Sequence, residues 1–247
     1  MRIINDHLAV PARLGESDDN GYLLLAAEVG GWLGLFPLPS KTRARLVDRV
    51  AELAEKLDAR ADVVQAVAFR AIFRTPGEGS ELLRRHGVRP ARYDVAVLIR
   101  TKTVEAIDDV RADNDFRALR AALAESERVH EVASRNIARI AEVAVDDRKP
   151  FLFNYFHATD TETLIDVWRY TAGWFQEKTH LPDSTLLRPI PGEPGDYGIV
   201  NFASWPNVRT FLPKLVFHPQ FRRFVLANFA ANGIAAQPII YRHVPAR

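Results

Sequence analysis

The sequence predicts an α+β protein: two tandem ferredoxin-like β-α-β-β-α-β units, packed sheet to sheet as an α/β barrel within one chain. Two observations lead to this prediction. One is an internal repeat with an offset of about 104 residues, and the other is a succession of strand-like and helix-like segments that occurs twice in the same order. A ferredoxin-like sheet has helices on one face only, so a second unit in the same chain would cover its other face.

Two tyrosine-led segments mark the repeat. Tyr93–Arg100 and Tyr197–Ser204 both have the composition of strands, and their tyrosines lie 104 residues apart. Phe116 and Phe221, in the helical stretches that follow, lie 105 residues apart. One residue of slippage over this distance is what a duplicated unit with a small insertion would show.

Each copy is expected to have an amphipathic helix after its first strand. Apolar residues at helical spacing predict these helices from about Ser40 to Ala59 and from about Thr161 to Thr179. Ser40 and Asp160 are residue types that cap helix N-termini well. The spacing of the apolar residues places Trp168 and Phe175 on the buried stripe of the second helix, where core packing would explain them.

Alternation and β-branched or aromatic content predict four strands in each copy. In the first copy they are Trp32–Leu38, Val63–Phe73, Arg92–Ile99 and Arg135–Val143, and in the second copy they are Phe151–His157, Ser184–Ile190, Tyr197–Ser204 and Gln237–Val244.

The chain is accordingly expected to have three parts. They are an N-terminal extension over residues 1–29, a degenerate first repeat over residues 30–145 and a site-bearing second repeat over residues 150–247. The polar segment Asp146–Pro150 would join the two repeats. Within the extension, Tyr22–Val29 fits either an additional strand or a helix.

Composition excludes several classes of function. The 247 residues include no cysteine, which excludes disulfides and cysteine-ligated metal centres. A formal net charge of +2 is too small to indicate a nucleic-acid partner. No signal-peptide pattern and no membrane-spanning apolar run occur, so we expect a cytoplasmic protein with no membrane partner.

The seven histidines show no pattern that binds a metal. No two of them lie at i, i+2 or i, i+4, and no H-E-x-x-H motif occurs. We therefore expect no metal and no other cofactor. An arginine cluster in the first copy has two interpretations: the favoured one is a solvated face and the alternative is an anion site. Its members are Arg70, Arg74, Arg84, Arg85, Arg89 and Arg92.

The second copy resembles the dimeric α/β-barrel superfamily, in particular its antibiotic-biosynthesis-monooxygenase-like branch. The resemblance is carried by Phe153–Phe156 on the first strand, by the helix that holds Trp168 and Trp174, and by Asn201–Trp205 and His218–Phe221. It covers about residues 150–244 well and 30–145 weakly. The resemblance implies an enzyme that binds a flat aromatic or polyketide-like ligand between sheet and helices, oxidises it without metal or flavin, and belongs to secondary metabolism.

The resemblance also implies a set of site residues. An asparagine on the first strand and a nearby tryptophan hold the substrate in this family, which here points to Asn154 with Trp205 or Trp174. Haem-degrading members have a histidine on the last helix where this chain has Val225, so haem binding is the less favoured alternative. With Trp32–Leu38 as its first strand, the first copy would have Gly34 in the place of Asn154.

Residue chemistry adds to this set and leaves alternatives open. Asn154 lies on an otherwise apolar strand face, where its amide either holds a ligand or bonds to neighbouring backbone. Asn201 is in the same situation, and the corresponding residue of the first copy is Val97. His157 is either a catalytic base or an ordinary strand-end residue.

We therefore expect Asn154, Trp205 and His157 to be catalytic and Asn201, Trp174, Tyr170 and Phe156 to bind the substrate. The substrate would be a small aromatic or polyketide-like molecule, oxidised or cyclised without a cofactor. The alternative is a non-catalytic ligand-binding or structural protein on the same scaffold. Because the duplication supplies both sheets, a second chain is not needed to close the barrel, although a homodimer through another surface is compatible with the sequence.

Overall fold

The computed structural model describes residues 1–246, so Arg247, the last residue of the predicted second repeat, lies outside the described residues. The strands are β1 Gly21–Glu28, β2 Trp32–Leu33, β3 Phe36–Pro37, β4 Val63–Arg74, β5 Val95–Thr101, β6 Arg128–Arg139, β7 Pro150–Ala158, β8 Asp183–Pro189, β9 Ile199–Ser204 and β10 Ile234–Val244. The helices are α1 Lys41–Asp58, α2 Ser80–Arg85, α3 Ala106–Ala112, α4 Asn114–Ala124, α5 Thr161–Thr179, α6 Val208–Phe217 and α7 Ala227–Ala231. A 3₁₀ turn spans Asp6–Leu8 and a π-helical segment spans Phe221–Leu226.

Eight of these strands form one closed antiparallel barrel, in the order β1-β5-β4-β10-β7-β9-β8-β6. Each half has the strand order of a ferredoxin-like unit: β6-β1-β5-β4 in the first and β10-β7-β9-β8 in the second. The halves join edge to edge where β4 pairs with β10 and where β6 pairs with β8. The predicted fold class is confirmed, and a single chain closes the barrel.

Both long helices begin where the sequence predicts. The Ser40 side chain accepts a hydrogen bond from the Arg43 backbone N–H at the start of α1, and the Asp160 side chain accepts one from the Glu162 N–H at the start of α5. These caps satisfy backbone donors that a helix leaves free at its first turn.

The first strand of the first unit is not the predicted Trp32–Leu38 segment. That place in the barrel belongs to β1, whose eight residues are all buried. The Trp32–Leu38 segment instead forms the small β2–β3 hairpin outside the barrel. Tyr22–Val29 is thus largely barrel strand, and the first unit begins near residue 21 rather than at residue 30. The predicted strand Arg135–Val143 is likewise displaced, because β6 spans Arg128–Arg139.

The core has three layers. Large aromatic side chains fill the barrel interior, where Phe69 packs on Phe151, Phe153 and Phe202 at ring-centroid distances of 5.2, 5.3 and 5.8 Å. Two further clusters lie outside the barrel, one under α1 and α4 of the first unit and one under α5 to α7 of the second. No helix of the described residues is long and apolar enough to cross a membrane.

The N-terminal segment, residues 1–20, crosses the helices of the second unit. The Gln176 side chain on α5 accepts a hydrogen bond from the Arg13 N–H and donates one to the Arg13 carbonyl. Asn228 on α7 makes the same pair of bonds with the backbone of Ile4. A Cβ at Gly173 of α5 would lie 1.9 Å from the Val10 carbonyl oxygen, so α5 and the segment are in direct backbone contact.

This contact predicts whether the substitution Gly173→Ala raises or lowers the free energy of unfolding. In a helix interior, glycine to alanine normally stabilises by about 1 kcal/mol. Here the added methyl overlaps backbone, and we expect a loss of about 1–3 kcal/mol instead. Thermal unfolding by circular dichroism measures the change, and limited proteolysis should show cleavage within residues 1–15.

Glu177→Ala is the matched control, because Glu177 lies on the same helix and is exposed. It should change the free energy of unfolding by no more than about 0.5 kcal/mol. A Gly173→Ala protein that is more stable than the parent would show that the segment does not pack against α5.

Candidate functional site

A cavity lies between the outer face of the second unit's sheet and its helices. Sheet residues from β7, β8, β9 and β10 form its floor, and α5, α6, the π-helical segment and α7 form its roof. Its empty volume, which includes space open to solvent, is about 680 Å³, and most of the side chains that line it are apolar.

Two asparagine side chains stand next to each other on the floor of this cavity. Asn154 on β7 and Asn201 on β9 are directly opposed in the antiparallel ladder, so their side chains share a face. The Ser184 hydroxyl donates a hydrogen bond of 2.6 Å to Asn201 Oδ1. Asn154 Oδ1 is buried and has no hydrogen-bond partner within residues 1–246. Such an atom costs about 1–3 kcal/mol unless a ligand or water pairs with it.

The first unit has apolar residues at the two equivalent positions. Val97 corresponds to Asn201, and its ladder partner on β1 is Leu25, which corresponds to Asn154. The predicted equivalence of Gly34 with Asn154 is wrong, because Gly34 lies in the β2–β3 turn with a φ of 60°. Folding of the unit does not require the amides, since the first copy folds with leucine and valine in their place.

Aromatic rings line the cavity on several sides. Trp205 is 1% exposed, its indole N–H donates to Thr179 Oγ1 at 3.1 Å, and its ring packs on Phe211 at 4.4 Å. Because its N–H is already bonded, Trp205 can offer a ligand only its ring. Phe156, Trp168, Phe175, Phe221 and Phe229 also line the cavity.

The π-helical segment supplies part of the roof. It follows the His218-Pro219 break after α6, and both Phe221 and Leu226 line the cavity. π-Helical turns cost hydrogen-bond geometry and occur frequently at functional sites. The segment is therefore a second feature, besides the asparagines, that marks this region.

The first unit contributes part of the cavity wall. Thr75, Pro76 and Gly77, which follow β4, line it together with Pro238 of β10. A Cβ at Gly77 would lie 2.3 Å from the Ala236 carbonyl oxygen, so only glycine allows this close approach of the segment to β10. The site therefore depends on both units although its floor belongs to one.

Four of the seven predicted site residues come together in the cavity: Asn154, Phe156, Asn201 and Trp205. Trp174 lies next to it, fully buried, and packs on Phe175 and Phe221 at 5.2 and 5.6 Å.

Tyr170 does not reach the cavity lining. Its hydroxyl donates to Asp6 Oδ1 at 2.5 Å. Burial and this acidic partner raise the pKa of Tyr170 to about 12, so the phenol stays protonated.

His157 is also outside the cavity. It lies 2.6 Å from the Asp196 carbonyl through Nδ1 and 2.9 Å from His86 Nδ1 through Nε2. The carbonyl can only accept, so Nδ1 of His157 carries a proton, and Nε2 shares a hydrogen bond with Nδ1 of His86. Both ring nitrogens are engaged, and the position has the opposite strand parity to Asn154.

Sequence reasoning missed Trp168, Phe175 and Ser184 as lining residues. Helical spacing predicts that Trp168 and Phe175 belong to the packed core, because they lie on the buried stripe of α5. The cavity lies beneath that same stripe. Helical spacing therefore identifies the residues of α5 that face the sheet, but it cannot distinguish those that line a cavity from those that pack in a core. Ser184 carried no signal, because its role depends on the alignment of β8 with β9.

The chemistry of the lining is entirely non-ionisable. Among the described residues that surround the cavity, no side chain is acidic, basic, phenolic or thiol. Haem does not fit, because this donor set offers no iron ligand and Val225 is buried in the apolar cluster of the second unit. Within residues 1–246, no group of three or more His, Asp or Glu side chains could hold a metal ion.

Comparison with solved structures gives the class of the fold. An anthrone oxidase-like protein superposes with a TM-score of 0.64 at 9% identity, covering 94% of this chain and 95% of that one. A protein from Fusobacterium nucleatum, provisionally named a monooxygenase, gives 0.57 at 7% identity, covering 92% and 93%. A protein provisionally named a chlorite dismutase gives 0.55 at 11% identity, covering 92% and 95%.

These neighbours and the closed eight-stranded barrel define a dimeric α/β-barrel fold, here built from two ferredoxin-like units of one chain. The expected resemblance to monooxygenase-like proteins of this fold is confirmed. At these identities the similarity defines the fold and not the reaction. No protein-family model matches the sequence, and no curated protein matches it.

The position of His157 predicts that it is dispensable for ligand binding. His157→Ala removes a ring that lies outside the cavity, so the dissociation constant of an aromatic ligand such as 2-naphthol should stay within about twofold of the parent. Quenching of tryptophan fluorescence measures it. A loss of binding as large as that caused by changing Asn154 would place His157 in the site.

Proposed function

We propose that the chain is a small-molecule enzyme of the monooxygenase type that oxidises or cyclises an aromatic or polyketide-like substrate without a cofactor. The observation that carries the proposal is the unpartnered Asn154 Oδ1, buried beside Asn201 in a largely apolar cavity. Both amides occur only in the second unit. A ligand site in that unit explains this difference, whereas a role in folding would call for the amides in both units.

The two amides present complementary groups. Asn201 Oδ1 is occupied by Ser184, which leaves the Asn201 Nδ2 group as a hydrogen-bond donor. Asn154 Oδ1 is a vacant acceptor. An enol or phenol O–H would donate to Asn154, and an adjacent carbonyl or enolate oxygen would accept from Asn201. A hydroxylated aromatic ketone has both groups on one edge.

The reaction that suits this site begins with a substrate that can form a carbanion. An anthrone, for example, loses a proton to give an enolate, which transfers electron density to dioxygen and forms a hydroperoxide. Loss of water then gives the quinone, so one dioxygen is consumed and one water is released. The protein would hold the enolate by amide donors and exclude water from it.

The absence of an ionisable group from the described lining favours a second candidate, a non-catalytic ligand-binding protein. Under the enzymatic proposal, the substrate must then be acidic enough to lose its proton to water. Dioxygen uptake with anthrone, measured with an oxygen electrode against a protein-free control, separates the two. Binding without accelerated uptake supports the binding protein.

We place the protein in the cytoplasm, in secondary metabolism, as a homodimer whose contact lies on the outside of the closed barrel. Leu33 and Phe36 of the β2–β3 hairpin, 72% and 61% exposed, are apolar side chains that such a contact would cover. Light scattering on the purified protein measures the mass in solution.

Asn154→Leu should separate binding from folding. Leucine removes a buried acceptor that has no partner, so the melting temperature should stay the same or rise. Binding of 2-naphthol should weaken at least about tenfold, because its hydroxyl loses the acceptor. Circular dichroism and fluorescence titration measure the two quantities.

Leu25→Val is the matched control at the equivalent position of the first unit. It should lower the free energy of unfolding by about 1 kcal/mol, since it removes buried apolar surface, and should leave 2-naphthol binding unchanged. An Asn154→Leu protein that unfolds readily but binds normally would show that the amide is structural.

The pH dependence of turnover is a further prediction. Because the described lining has no titratable side chain, the rate of anthrone oxidation should rise with pH as the substrate itself deprotonates, with no added inflection from the protein. Initial rates of dioxygen uptake between pH 5 and pH 9, after subtraction of the protein-free rate, test this. A bell-shaped profile would require a protein acid or base and would contradict the assigned site.

A further inference from the structure

Ser184 is the third polar side chain on the floor of the cavity, beside the two asparagines. It lies on β8, is fully buried, and donates its hydroxyl proton to Asn201 Oδ1 at 2.6 Å. A hydroxyl has one proton, so this bond uses the only donor that Ser184 has. A ligand carbonyl can only accept. Towards such a ligand, Ser184 can therefore act only through Asn201.

The neighbours of Asn201 leave Ser184 as the partner that orients its amide. In the strand ladder, Asn201 lies between Asn154 on β7 and Leu186 on β8. The leucine forms no hydrogen bond, and Asn154 Oδ1 has no partner within residues 1–246, so the Asn201 amide does not donate to it. An amide has an acceptor end and a donor end of nearly the same shape. The Ser184 hydroxyl holds the acceptor end and leaves the donor end, Nδ2, for a ligand.

The polar residues of the floor occur as a set in the second unit. Ser184 faces the residue two places beyond Asn201 on β9, and Ala66 faces the residue two places beyond Val97 on β5. Since Val97 is the equivalent of Asn201, Ala66 is the equivalent of Ser184. The serine and both asparagines are thus replaced by apolar residues in the first unit, which folds without them. Folding of the unit does not explain the serine, whereas orientation of Asn201 does.

We propose that Ser184 is a specificity-determining residue, which selects ligands with a carbonyl or enolate oxygen by holding the Asn201 amide with its donor end free. This inference rests on the proposed function, because it takes the cavity as the ligand site. It divides the floor into two parts with different requirements. Asn154 accepts from a hydroxyl of the ligand, and the Ser184–Asn201 pair requires an acceptor on the ligand.

The test compares two probes that share a ring: 2-acetonaphthone, whose carbonyl can only accept, and 2-naphthol, whose hydroxyl can donate to Asn154. We expect Ser184→Ala to weaken the binding of 2-acetonaphthone about three- to tenfold, because the Asn201 amide is no longer held in the orientation that donates. The dissociation constant of 2-naphthol should stay unchanged. Quenching of tryptophan fluorescence measures both.

A double-mutant cycle shows whether Ser184 acts through Asn201. Asn201→Leu removes the donor itself and should weaken the binding of 2-acetonaphthone at least as much as Ser184→Ala does. In the Asn201→Leu protein, the further change Ser184→Ala should have no effect on that dissociation constant. A full additional loss would mean that Ser184 contacts the ligand by itself, and the proposal would be wrong.

Thr171→Ala is the matched control. Thr171 is buried and lines the cavity, but its hydroxyl donates to the Val167 carbonyl of its own helix at 2.9 Å. Its loss removes a hydroxyl from the lining and leaves Asn201 held, so both dissociation constants should stay unchanged. Ser184→Cys has only a weak S–H donor and should act in the same direction as Ser184→Ala, which provides the comparison if the alanine protein does not fold. Melting temperatures show which variants are folded.

The outcomes separate the two claims. If 2-naphthol binds the parent protein but 2-acetonaphthone does not, or if Ser184→Ala leaves the binding of 2-acetonaphthone unchanged, the Ser184 proposal is wrong and the proposed function stands. If Ser184→Ala weakens both probes equally, Ser184 is structural and the proposal is also wrong. If neither probe binds the parent protein, the proposed function fails, and this inference fails with it.

Discussion

Closure of the barrel by one chain is the constraint on which the other features depend. Once β4 pairs with β10 and β6 with β8, no sheet edge in the barrel stays open, and the inner faces of both sheets meet. Phenylalanine and tyrosine side chains fill that interior. With the interior filled, a ligand chamber can form between the outer face of a sheet and its own helices, and the amide-lined cavity lies there.

The duplication also explains why the two halves can differ. Each unit needs the other to cover its sheet, but only one of them needs to hold a ligand. The first unit packs Leu25 and Val97 under α1, where the second has the two asparagines under α5. The first unit is nevertheless part of the site, because its Thr75–Gly77 segment lines the cavity.

Sequence alone predicted the elements whose signals are local. The helices α1 and α5 have periodic apolar residues and capping side chains, and both begin where expected. The strand β1 is buried on both faces, so Gly21–Glu28 has no alternation of polar and apolar residues, and its sequence fits a strand or a helix equally. The Trp32–Leu38 segment does have strand-forming residues, but they form a hairpin outside the barrel. That error produced the wrong equivalent for Asn154. Asn154 and Asn201 could be found as amides in apolar strands, whereas the contact of residues 75–78 with residues 236–238, which forms one wall of the cavity, depends on strand pairing that no local pattern encodes.

The single-chain barrel has a consequence for stoichiometry. A barrel made from two identical chains carries two equivalent chambers related by symmetry, and its ligands can influence each other across the shared barrel. Here the amide floor occurs in one half only. Titration of this chain should therefore saturate at one ligand per polypeptide. Its binding curve should be hyperbolic, since the first unit has Leu25 and Val97 at the equivalent positions and its described residues form no second amide floor.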